Sequence, residues 1–166
     1  MMENQLRQLP RRLRSGRLAD AEEAIAASRG LMGVAARSLT QVVEAGMTLA
    51  QFRALVTVAR SGGILVGDLA EALGIQRSGA TRLVDRLEHA GLITRSVRPA
   101  DRRGVVVRVT VAGENLVHDV MERRRAQIAD ILAGLSGPER DLVIDGFRLF
   151  AEAAAEHGAE VDLLGW

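Results

Sequence analysis

The stretch GDLAEALGIQRSGATRLVDRLEHAG, Gly67 to Gly91, decides the fold. GDLAEALG reads as a short helix stopped by Gly74. RSGATRLVDRLEHA follows at once and reads as a longer helix stopped by Gly91. Ala80, Leu83, Val84 and Leu87 of this second helix fall on one face and predict its inward stripe. The same spacing turns Ser78, Thr81, Arg82, Asp85 and His89 largely outward. Two helices joined by a tight glycine turn form a helix-turn-helix.

The texture changes on the C-terminal side. LITRSV and VVVRVT are β-rich runs joined by RPADRRG, and they predict a hairpin, the one convincing strand pair in the chain. After Thr110 a long helix is expected to about Gly134, with Leu116, Val117, Val120, Met121, Ile128, Ile131 and Leu132 as its apolar set. A last helix is expected from Ser136 to about Gly158, carrying Leu142, Ile144, Phe147, Leu149 and Phe150. Three capping boxes mark helix starts: Asp20 with Glu23, Thr48 with Gln51, and Ser136 with Glu139, the last with Pro138 in its first turn. From Asp20 a stripe of Ala24, Ile25, Leu31, Met32, Ala35, Leu39, Val42 and Val43 predicts a helix ending near Gly46. From Thr48 the stripe is Leu49, Phe52, Leu55, Val56 and Ala59, closed by Gly62-Gly63. The expected fold class is mainly α with a small β-hairpin wing beside the helix-turn-helix.

Composition narrows the function. The 166 residues allow one good core or a core with a helical appendage. No apolar run approaches the roughly 20 residues of a membrane span. The arginine-rich opening MMENQLRQLPRRLRSGR lacks an apolar segment, so no secretory leader is expected. Cysteine is absent, which removes disulfides and thiol chemistry and fits a cytoplasmic protein. All 22 basic residues are arginine and the net charge is only +1. That balance hides two basic blocks. Residues 1–17 set five arginines against Glu3, and residues 76–110 set eight against Asp85, Glu88 and Asp101. Residues 139–166 are acidic. Local basic blocks in a near-neutral chain suit a polyanion, although arginines that merely solvate the surface give the same count.

The helix-turn-helix suits DNA. A helix fits the major groove, and the residues at its N-terminus reach base edges. Gln76 can bond adenine. Arg77 and Arg82 can pair guanine or phosphate, and Ser78 and Thr81 can bond either. Arg86, a turn further on, is placed for phosphate, which positions without specifying. The hairpin would set Arg98, Arg102 and Arg103 toward backbone or the adjacent minor groove, where an arginine gains from concentrated negative potential. Asp101 would be repelled there, and its expected part is to pair with Arg103 or another wing arginine and restrain its long side chain. Arg102 is then the candidate for insertion. Read alone, D-R-R-G also fits an ordinary solvated hairpin with a local ion pair.

In order along the chain, MTLAQFRAL, DLAEALGI, TRLVDRLEHAGLITR, the wing D-x-R of Asp101 and Arg103, VRVTVAGE and LSGPER resemble the MarR (multiple-antibiotic-resistance regulator) family over roughly residues 20–157. The resemblance implies a homodimeric winged-helix transcription factor, usually a repressor, on a pseudo-palindromic double-stranded DNA operator. It implies residues 20–47 and 111–158 as helical dimerisation segments flanking a DNA-binding domain at 48–110, with a basic extension at 1–19 and a tail at 159–166. Leu142, Phe147 and Phe150 would then be buried against the partner's first helix. A small organic ligand would enter between the two kinds of domain, with Arg37, Phe52 and His118 as candidate liners.

The chain departs from the family pattern in four places. Gln76 stands where Ser or Asn often caps the recognition helix, and Gly79-Ala80 where Thr-Val is common. No Thr or Ser precedes the first helix of the motif. The basic extension is the fourth: a minor-groove arm, a loose terminus, or leucines (Leu6, Leu9 and Leu13) packing on the partner. No cofactor or metal is expected. His118 and Glu122 at i, i+4 are too few ligands. An architectural DNA-binding protein without sequence preference is the alternative reading. An enzyme is the remote one, since no phosphate loop or catalytic spacing stands out.

Overall fold

The computed structural model describes residues 11–44, 46–97 and 105–156. The elements are α1 (Arg11–Ser38), α2 (Thr40–Glu44), α3 (Leu49–Ser61), β1 (Ile64–Leu65), α4 (Val66–Leu73), α5 (Arg77–His89), β2 (Ile93–Val97), β3 (Val105–Val109), α6 (Val111–Ala133) and α7 (Gly137–Glu156). The chain divides into two compact units after Arg37.

The first unit is the helix α1. It starts well before Asp20, so Asp20 lies inside a helix and is not its cap. The segment RRLRSGRLA ahead of it is rich in Arg, Leu and Ala, which propagate a helix at little cost. The helix expected to run on to Gly46 instead breaks at Leu39, whose carbonyl accepts from both Val42 and Val43 at 3.0 and 3.2 Å. Ser38 and Thr40 flank the break, and hydroxyl side chains favour helix ends over interiors.

The second unit is organised around one apolar cluster. Phe52, Leu55 and Val58 from α3, Leu69 from α4, Val84 and Leu87 from α5, Ile93 from β2, Val107 from β3 and Val120 from α6 meet there. Burying each of the large side chains is worth roughly 1.5–3 kcal/mol. The cluster reaches beyond residues 48–110, because Val42, Met47 and Val120 belong to it. Thr48 begins α3 as expected: its hydroxyl accepts from the Gln51 N–H, and its own N–H donates to the Gln51 side chain at 2.7 Å. At the start of α7 the Glu139 carboxylate accepts the Ser136 N–H at 2.9 Å and its hydroxyl at 2.6 Å.

The sheet has three antiparallel strands in the order β1-β3-β2. The sequence led to two. β1 holds only Ile64 and Leu65, opposite Val107 and Val106, too short to show alternation. The hairpin register sets Ile93 against Val109 and Val97 against Val105.

Two contacts fix where the hairpin leaves and re-enters. The Thr110 hydroxyl donates to the Gly91 carbonyl at 2.8 Å and accepts from the Gly113 N–H at 3.1 Å, capping α6. Gly113 is packed so closely that a Cβ there would sit 2.2 Å from the Leu92 carbonyl oxygen. Only glycine lets α6 start against that backbone.

Candidate nucleic-acid interface

The turn between α4 and α5 is made by Gly74 at φ 65°, ψ 34°, a left-handed conformation that an L side chain resists. It sends α5 off directly, with Ala80, Val84 and Leu87 buried and Leu83 partly so. The opposite face is polar. Gln76, Arg77, Ser78, Thr81, Arg82 and Arg86 are all exposed. The structure therefore brings the six recognition-helix candidates together on the open side and first turns of one helix.

Their local chemistry differs. Gln76 is the N-cap by backbone alone, and its side chain makes no capping bond, so its amide stays available to a ligand. The Thr81 hydroxyl donates to the Arg77 carbonyl at 3.0 Å, which leaves its lone pairs to accept. The Arg77 guanidinium folds back over the start of α4, 3.9 Å from where a Cβ on Gly67 would stand. No ion pair engages Arg77, Arg82 or Arg86 among the described residues. The N-cap of α4, Leu65, has no side-chain bond either, in line with the missing Ser or Thr.

Arg95 is the residue the sequence left inside the basic block without a role. From β2 it reaches across to α5. It donates to the Asp85 carboxylate, and its Nε lies 3.1 Å from Glu88. Both acids of this basic stretch outside the wing tip are thus spoken for. The separation of ten residues along the chain gave no local cue; only the return of β2 under α5 creates the contact. Arg108 of β3 bonds Ser96 Oγ at 3.0 Å on the hairpin. The wing-tip candidates Arg98, Asp101, Arg102 and Arg103 lie outside the described residues.

The remaining candidates fall elsewhere. Leu142, Phe147 and Phe150 are 73%, 52% and 68% exposed, and α7 contains no buried residue. Phe52 is fully buried in the core, His118 is exposed, and Arg37 belongs to the first unit. A cleft of about 330 Å³ opens at the edge of the sheet, lined by residues including Gly63, Leu65, Asp68, Val106 and Arg108. None of the three proposed liners borders it. Among the described residues no group of three His, Asp or Glu is placed for a metal, and no single helix is long and apolar enough to cross a membrane.

Comparison with known proteins places this architecture. The model of the MarR family matches residues 45–104, which span the helix-turn-helix and the first strand of the hairpin. The HTH-type transcriptional regulator YfiV of Bacillus subtilis is 32% identical over 107 residues, 64% of this chain and 67% of that protein. The crystal structure of RV1404 from Mycobacterium tuberculosis is 38% identical and superposes with a TM-score of 0.75, covering 80% of this chain and 90% of the other. The structure of NadR in complex with 4-hydroxyphenylacetate is 28% identical with a TM-score of 0.54, covering 78% and 90%. The chain belongs to the MarR family of DNA-binding transcriptional regulators.

Proposed function

We propose that the protein is a homodimeric, sequence-specific repressor released from its operator by a small organic ligand. The observation that carries this reading is the polar face of α5. Six side chains with base- and phosphate-bonding chemistry stand exposed on a helix whose other face is anchored in the core. Arg82, Ser78 and Gln76 are the candidates for base edges. Arg77, folded toward α4, and Arg86 suit phosphate. Arg102 and Arg103 complete the contact from the wing, with Asp101 restraining Arg103 or another wing arginine.

The exposed apolar residues of α7 support the dimer. Leu142, Phe147 and Phe150 stay more than half exposed, and a partner helix would remove them from water. Two recognition helices would then read a site with matching two-fold symmetry. A dimer lying across a promoter excludes other proteins from it, which makes repression the simplest output. NadR, with its bound 4-hydroxyphenylacetate, supports an organic effector. Such a ligand acts by preferring the spacing that does not fit DNA.

The test is fluorescence anisotropy on the DNA upstream of the protein's own coding region, against a scrambled duplex of equal length. Preference for the first by a factor on the order of 10³ is expected of a site-specific regulator. Equal, steeply salt-dependent binding to both would replace this reading with the architectural one.

A further inference from the structure

We infer that Arg95 is a positioning residue for DNA binding, which acts by neutralising and holding the acidic edge of the recognition helix without touching DNA itself. The inference rests on the proposed reading of α5 as the DNA-contacting helix. Three observations carry it. First, Arg95 engages two carboxylates at once, Asp85 and Glu88, both on α5 and both exposed. Second, Asp85 sits three residues beyond Arg82 and one before Arg86, so a bare carboxylate there would stand among the cations that meet phosphate. Third, Arg95 pairs across the sheet with Val107, a core residue. Its side chain therefore leaves β2 on the face that α5 covers, and is turned under the helix instead of outward along the wing.

The effect on binding is electrostatic. Arg95 cancels about half of the charge by which Asp85 and Glu88 would repel a polyanion, because its one cation beside two acids leaves a net −1 in place of −2. An arginine suits this better than a lysine, since Nη2 donates to Asp85 while Nε lies within ion-pair distance of Glu88.

The experiment is a double-mutant cycle in DNA affinity, using the full chain and the upstream duplex at 0.15 M salt. The variants are Arg95→Gln, the pair Asp85→Asn with Glu88→Gln, and all three together. Arg95→Gln is expected to weaken binding about tenfold, the acid pair to stay within about threefold of the wild type, and the triple variant to return to within about threefold. Full recovery means that the arginine matters only while the acids are present. The inference is overturned if Arg95→Gln binds within about twofold of the wild type. It is equally overturned if the triple variant stays as weak as Arg95→Gln, the additive pattern of an arginine that contacts phosphate. If Arg95→Gln does not fold by circular dichroism, the triple variant against the acid pair decides: within threefold supports the inference, tenfold weaker overturns it. Failure of the wild type to bind the upstream duplex would instead strike at the proposed function.

Discussion

Replacing Gly113 by alanine adds one methyl group where the start of α6 presses on Leu92. The new Cβ would lie 2.2 Å from the Leu92 carbonyl oxygen and 2.8 Å from Val109 Cγ2. A comfortable carbon–oxygen contact is about 3.3–3.6 Å, so something must move by about 1 Å. The carbonyl is not free to do so, because it accepts the Thr110 N–H at 3.0 Å. Overpacking of this kind costs about 1–3 kcal/mol, and losing the hydrogen bond adds about 1 kcal/mol. A total of about 3 kcal/mol lowers the melting temperature by about 6–12 °C in a chain of this size. Gly79→Ala is the control. It sits in the same third helical position of α5, its Cβ would meet Ile75 Cδ1 at an ordinary 3.6 Å, and it should raise stability by about 0.5 kcal/mol through helix propensity. Thermal denaturation followed by circular dichroism, at one fixed protein concentration, reads both. Equal shifts for the two variants, or a drop under about 2 °C for Gly113→Ala, would refute the steric reasoning.

Arg102→Ala should weaken binding to every duplex and reduce the salt slope by about one unit, whereas Arg82→Ala should erode discrimination between operator and scrambled DNA; anisotropy titrations at several salt concentrations separate the two. Phe147→Asp places a charge in the apolar set of α7 and should shift the sedimenting species from dimer to monomer, an outcome that an unchanged dimer would contradict. The Glu139 carboxyl is held below the usual glutamate range by its bonds to the Ser136 hydroxyl and N–H. A depressed carboxyl stabilises the fold above its unfolded pKa, and the contribution disappears as pH falls through the folded value. Wild type and Glu139→Gln should therefore differ in melting temperature at neutral pH and converge well below about pH 4.

Much of this molecule was legible because its signals are local. The Thr48 box needs only Gln51 three residues on, and the α5 stripe of Ala80, Val84 and Leu87 needs only helical spacing. The misreadings had physical grounds. Asp20 with Glu23 has the pattern of a cap, yet good helix formers precede it and the helix runs through. Ile64 and Leu65 become a strand only because Val106 and Val107 arrive some forty residues later. Arg95 was counted with the basic block, and its charge is absorbed by acids that the chain brings near only after the hairpin turns back. Gly113, in VAGE, carried no visible sign of its packing, since a glycine in a first turn is otherwise unremarkable. Of the candidate interface, the α5 face was read residue by residue, while the contact that governs its charge was not.

The bond pair at Thr110 turns α6 into a lever. Of its 23 residues, those from the tight joint at Gly113 to Ala133 extend about 30 Å. A joint jammed against Leu92 and cross-bonded to Gly91 transmits rotation and does not absorb it. A sideways displacement of about 3 Å at Ala133 would therefore swing the hairpin and recognition helix through about 6°. In the proposed dimer, where two such heads would read one site, a push too small to unfold anything would become a mismatch with the pitch of DNA.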